Sequence, residues 1–116
     1  MIDDIFCKII NGDKKEGFVA DEDEWIAIND LHPSAPIHVL IIPKKHIASL
    51  DELEESDERL MGKLIIGAHK IAKKLGLDGK GYRLIANCGE HGGQMVPHLH
   101  IHLIGGRKLG SKIIQD

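Results

Sequence analysis

At 116 residues, with 42% hydrophobic and 28% charged side chains, the chain holds one globular domain, residues 1–116, and is too short for a second core. A net charge of −3 argues against a nucleic-acid partner but leaves room for a local phosphate pocket. Two distant cysteines, Cys7 and Cys88, make no disulfide framework, no apolar run approaches the roughly 18 residues of a membrane helix, and Met1-Ile2-Asp3-Asp4 is acidic where a secretory signal would be basic, so a cytoplasmic protein without membrane contact is expected.

Ile2, Ile5, Phe6, Ile9 and Ile10 recur at helical spacing between Asp3 or Asp4 and Asn11-Gly12, which predicts a short amphipathic helix. Residues 17–20 and 25–29 read as strands around the acidic Asp21-Glu22-Asp23-Glu24, paired as a hairpin. His32-Pro33-Ser34-Ala35-Pro36 follows as a loop stiffened by its prolines. Residues 37–42 are a nearly continuous apolar run ended by Pro43, the pattern of a strand covered on both faces.

The clearest helix spans residues 56–75. Leu60, Met61, Leu64, Ile65, Ala68, Ile71, Ala72 and Leu75 form its stripe, Ser56 is the expected N-cap, Asp57 and Glu58 suit the positive end of the dipole, and Gly76 suits the position beyond the C-terminus. Residues 82–87 and 98–104 are two further strands, linked through the glycine-rich 89–93. The order of elements predicts an antiparallel α+β domain rather than a wound βαβ one.

The chemistry concentrates in the last strand. His98, His100 and His102 alternate with Leu99, Ile101 and Leu103, so the three imidazoles share one face at about 6.5–7 Å spacing. His38, in the other apolar strand, joins them if the register allows. An imidazole with a pKa near its ordinary value of about 6.5 is mostly neutral, and nucleophilic, at cytoplasmic pH. Flanking histidines can donate to phosphate oxygens as charge shifts, which suits phosphoryl or nucleotidyl transfer. A zinc held by the same histidines is the competing reading, with only Glu90 as a nearby carboxylate. A merely structural stripe would more often use Thr, Lys or Glu.

His98-Leu99-His100-Ile101-His102-Leu103-Ile104 resembles the signature of the histidine triad family. Asp4-Ile5-Phe6-Cys7-Lys8-Ile9-Ile10, the segment from Asn29 through Pro33 to His38, Ile41-Ile42-Pro43-Lys44-Lys45-His46-Ile47 and Gly92-Gly93-Gln94 resemble its nucleotide-binding branch, in order over residues 3 to 108. The resemblance implies a five-stranded antiparallel sheet with a short N-terminal helix and one long helix, paired as a homodimer. It also implies hydrolysis of purine nucleoside 5′-phosphoramidates through a nucleotidyl-histidine at His100, releasing a nucleoside monophosphate such as AMP. His102 then contacts the α-phosphate and leaving group, and His98 and His38 belong to the histidine network behind the nucleophile.

By the same resemblance Asp30 takes the ribose hydroxyls, Asn87 lies beside phosphate and ribose, and Ile5, Phe6, Ile9, Ile28 and Leu40 wall the purine. Gly93, Gln94 and Met95 flank the nucleotide, Met95 standing where the family commonly has Ser. Some bacterial members bind a structural zinc through two cysteines and two histidines; the matching residues here are Asp4, Cys7, His46 and His98. With half the thiolate pair replaced, the expectation is that no cofactor is required. The alternatives in function are hydrolysis of a dinucleoside polyphosphate, or nucleotide binding for regulation or scaffolding with incidental activity.

Overall fold

Five strands build one antiparallel sheet: β1 (Phe18–Asp21), β2 (Trp25–Asn29), β3 (Ile37–Pro43), β4 (Arg83–Ile85) and β5 (Ile101–Gly105). Their spatial order is β1-β2-β3-β5-β4, with helices α1 (Ile5–Asn11) and α2 (Glu58–Lys74) completing the α+β domain. This computed structural model describes residues 4–13, 17–111 and 113; Ile2 and Asp3, read above as part of the first helix, lie outside them. Among the described residues no helix is long and apolar enough to cross a membrane.

The two-residue period of β3 sets the layers. Val39 and Ile41 point to one side, where Leu60, Leu64, Ala68 and Ile71 of α2 cover them together with Leu99, Ile101 and Leu103. Leu40 and Ile42 point to the other side and pack with Ile26 and with Phe6 of α1. Both faces of β3 are therefore buried, as its unbroken apolar run requires. On α2, Gly67 is as necessary as the large residues: a Cβ there would lie 2.6 Å from Cζ2 of Trp25.

Several local expectations need correction. Ser56 does not cap α2; it sits inside a 3₁₀ turn, Glu55–Asp57, and a reciprocal capping box between Glu54 and Asp57 organises the entry instead. Ile65 and Leu75 leave the core and are exposed. The C-terminus behaves as read: Gly76 has φ +77°, its N–H bonds the Lys73 carbonyl, and the Leu77 N–H bonds that of Ala72, a Schellman closure.

The last two strands are shorter than their patterns. β4 covers only Arg83–Ile85, because Asn87 turns away and its side-chain amide bonds the Gly92 carbonyl at 2.7 Å. β5 begins at Ile101, so His98 and His100 lie in an extended lead-in. The register pairs Ile41 with Ile101, which would set Leu99 against Pro43. Proline has no N–H to continue the ladder, and Leu99 donates instead to the Ile47 carbonyl at 2.7 Å.

Candidate active site

A cavity of about 770 Å³ opens on the α1 side of the sheet. Ile5, Phe6 and Ile9 of α1, with Ile28 and Leu40, form its apolar wall, and Asp30, His38, Asn87, His100 and His102 supply polar groups. Gly93 and Met95 also line it, and Met95, 92% exposed, stands at its lip. One residue expected there does not line it. Gln94 turns inward, donating to the carbonyls of Ala48 (2.7 Å) and Val96 (2.9 Å) while its oxygen accepts the Gly89 N–H, so it braces the loop. His98, read as lying behind the nucleophile, is fully buried beneath the wall.

Hydrogen bonds to backbone groups of known polarity settle the ring tautomers. The Ser34 N–H can only donate, and it reaches His38 Nδ1 at 3.0 Å. His38 therefore carries its proton on Nε2, which donates to His102 Nδ1 at 2.9 Å. The contact follows from register: Leu40 sits opposite His102, so His38 is its diagonal neighbour across β3 and β5. Neutral His102 then keeps its proton on Nε2. Conversely, the His98 carbonyl can only accept, and it takes the proton of His100 Nδ1 at 2.8 Å. Nε2 of His100 is left with the lone pair.

Burial reinforces these states. Desolvation holds the His100 imidazole below its ordinary value, against the opposing hydrogen bond to the His98 carbonyl. His102 is pushed down to about 4, first by burial and then by His100 and His38 beside it. The two rings are 4.9 Å apart and both are neutral near pH 7. Asp30 lies 3.4 Å from His38 Nε2, and its other oxygen accepts the His32 N–H at 2.8 Å.

Sequence reading missed part of the lining: Phe18, Asn29, Leu31, His32, Ser34 and Val96. Ser34 and His32 were within reach of inference, because the stiff proline loop immediately precedes His38. A second groove, about 760 Å³, runs between α2 and the β1–β2 hairpin. Its rim carries the Lys63–Glu24 ion pair beside Asp21 and Arg59, and its lining, among the described residues, contains neither histidine nor cysteine.

The zinc set implied by the family resemblance is also brought together. Cys7 Sγ lies 3.4 Å from His46 Nδ1 and 3.5 Å from His98 Nδ1, and Asp4 Oδ2 lies 3.1 Å and 3.2 Å from the same two nitrogens. Tetrahedral zinc with bonds of about 2.0–2.3 Å separates its ligands by about 3.3–3.6 Å, so the donor set fits such an ion. Among the described residues, His46 Nε2 is the buried side-chain polar atom without a hydrogen-bond partner, and the ring is oriented from its Nδ1 side.

The sequence profile of the HIT domain matches residues 11–109. The purine nucleoside phosphoramidase of Escherichia coli (strain K12) is 43% identical over 106 residues, covering 91% of this chain and 89% of that protein. An uncharacterized HIT-like protein of Buchnera aphidicola is 44% identical over 109 residues, covering 94% and 97%. Among solved structures, a HIT family hydrolase from Clostridium thermocellum superposes with a TM-score of 0.92 at 46% identity, over 98% of this chain and 99% of that one.

Proposed function

We propose that this chain, which belongs to the HIT domain family and is a hydrolase of that family, cleaves purine nucleoside 5′-phosphoramidates through a nucleotidyl-histidine at His100. One observation carries the reading: two neighbouring neutral imidazoles present opposite groups, a lone pair on His100 Nε2 and an N–H on His102 Nε2, beside an apolar wall. The phosphoramidase named among the relatives supports the choice of bond.

In the first step His100 Nε2 attacks the α-phosphorus. A bond from phosphorus to the ring nitrogen forms, the bond to the amine breaks, and the amine leaves after taking a proton from water. His100 Nδ1–H stays on the His98 carbonyl throughout, which favours the positive charge that the ring acquires. His102 Nε2–H donates to a non-bridging phosphate oxygen as negative charge gathers there. Water then attacks phosphorus, releases the nucleoside monophosphate and restores His100. Asp30 accepts from the ribose hydroxyls, Asn87 lies beside phosphate and ribose, and Ile5, Phe6, Ile9, Ile28 and Leu40 hold the purine. Asp4, Cys7, His46 and His98 would hold a structural zinc, which supplies cohesion away from the reacting atoms.

The reading includes a homodimer. Among the described residues β4 pairs only with β5, leaving its outer side open, and Ile65 and Ile66 of α2 are exposed. Light scattering on the purified chain gives twice the chain mass if this holds.

The decisive experiment compares an adenosine 5′-phosphoramidate with a diadenosine polyphosphate under the same conditions. The expected result is faster AMP release from the phosphoramidate, with an adenylated peptide containing His100 trapped by acid quench. Preferred cleavage of the polyphosphate assigns a phosphoanhydride leaving group instead. Tight AMP binding with turnover at background supports a regulatory role.

A further inference from the structure

The Asp4, Cys7, His46 and His98 cluster joins three segments that the sheet does not hold together. Asp4 and Cys7 belong to the start of α1, His46 to the segment after β3, and His98 to the lead-in of β5. Asp4 serves twice. Its Oδ1 accepts the Cys7 N–H at 2.7 Å as the cap of α1, while its Oδ2 faces His46 and His98.

His98 Nε2 is committed as a donor to the Pro43 carbonyl at 2.8 Å. The Nδ1 side of the ring therefore faces the Asp4 carboxylate, 3.2 Å away, and Cys7 Sγ. The Asp4 carboxylate, His98 Nδ1 and Cys7 Sγ share this space by holding a proton or a cation between them. One carboxylate and one thiolate also balance the charge of a divalent ion in a space where Asp4 and His98 are almost wholly buried.

The same residues touch the cavity from behind. Phe6, next to Cys7 in α1, packs edge-on against His98 with ring centroids 5.9 Å apart and against His100 at 5.0 Å. The His98 carbonyl holds His100 Nδ1. Whatever fixes α1 and His98 thus fixes the apolar wall and the nucleophile.

We propose that a zinc-class cation bound by Asp4 Oδ2, Cys7 Sγ, His46 Nδ1 and His98 Nδ1 is thermodynamically linked to the nucleotide cavity, its occupancy setting α1 and the His100 ring. The nucleotide half of the linkage rests on the function proposed above. Binding converts the Cys7 thiol to thiolate and releases its proton to solvent. By reciprocity, nucleotide tightens the metal by the same factor as metal tightens nucleotide.

The test uses the full chain, stripped with a chelator and titrated with zinc chloride. Expected are one zinc per chain, proton release seen as buffer-dependent heat, and a melting temperature higher by about 5 °C or more. The His100 imidazole and Ile9 methyl resonances should shift on loading, and the Kd for AMP should fall about fivefold. Asp4→Asn preserves a good N-cap but removes the anionic ligand. It should weaken zinc by at least about tenfold and shrink the zinc-induced rise in melting temperature. Absence of stoichiometric zinc overturns the proposal, and so does zinc that binds without moving the His100 resonance. If zinc shifts His100 but AMP binds neither form, the metal-to-cavity coupling stands and the nucleotide reading fails.

Discussion

One short stretch of chain, from His98 to His102, feeds two histidine clusters of opposite character. His100 and His102 line an open cavity, each tied to the protein through Nδ1 with Nε2 left for chemistry. His98 is sealed, its Nε2 held by Pro43 and its Nδ1 by Asp4 and Cys7. The strand period treats all three alike; what lies above them differs. The first turn of α1 covers His98, Phe6 separates it from His100, and the cavity begins there. The cover over a sheet face decides which of its histidines can react.

Substitutions can separate the clusters. The largest effect is expected from His100→Ala, which should cut kcat by roughly 10³-fold or more while AMP binding and the melting temperature stay close to wild type. A variant retaining a tenth of the activity would remove His100 from the covalent role. His98→Ala should show the opposite profile. It strands a buried carboxylate and the Pro43 carbonyl, costing about 2–4 kcal/mol, with a fall in melting temperature on the order of 10 °C. An unchanged melting temperature would mean that the sealed cluster holds nothing together.

Asp30→Asn tests the cavity's polar rim. Losing hydrogen bonds to a charged acceptor should weaken AMP by about 1.5–3 kcal/mol, and a 2′,3′-dideoxy substrate should lose little more in the variant. Equal losses in variant and wild type contradict a ribose role. Met95→Ser, at the exposed lip, should raise turnover of alkyl phosphoramidates about tenfold and flatten the dependence of kcat on amine pKa. An unchanged slope leaves Met95 as filler.

The smallest effect lies in the pH profile. His100 attacks only as the neutral ring, and burial lowers its pKa from the ordinary 6.5. Activity should therefore persist below pH 6.5 and disappear as pH falls through the lowered value. His102, pushed down to about 4, stays neutral through most of that window. An acid limb of kcat/KM at or above 6.5, followed from about pH 4.5 to 8, would contradict a buried nucleophile.

By itself the sequence determines which residues share a face, because two- and 3.6-residue periods are local properties of the chain. Alternation sets His98, His100 and His102 opposite Leu99, Ile101 and Leu103, and the apolar run ending at Pro43 marks a strand buried on both sides. Gly76 likewise marks the end of α2 from its own backbone freedom. Only the tertiary structure decides that β5 starts at Ile101, since that depends on Pro43 arriving opposite Leu99. It alone turns Gln94 inward, fixes the His38 and His100 tautomers through the Ser34 N–H and the His98 carbonyl, and draws Asp4, Cys7, His46 and His98 to one point. These outcomes are set by register and loop path between residues far apart in the chain, which no local period encodes.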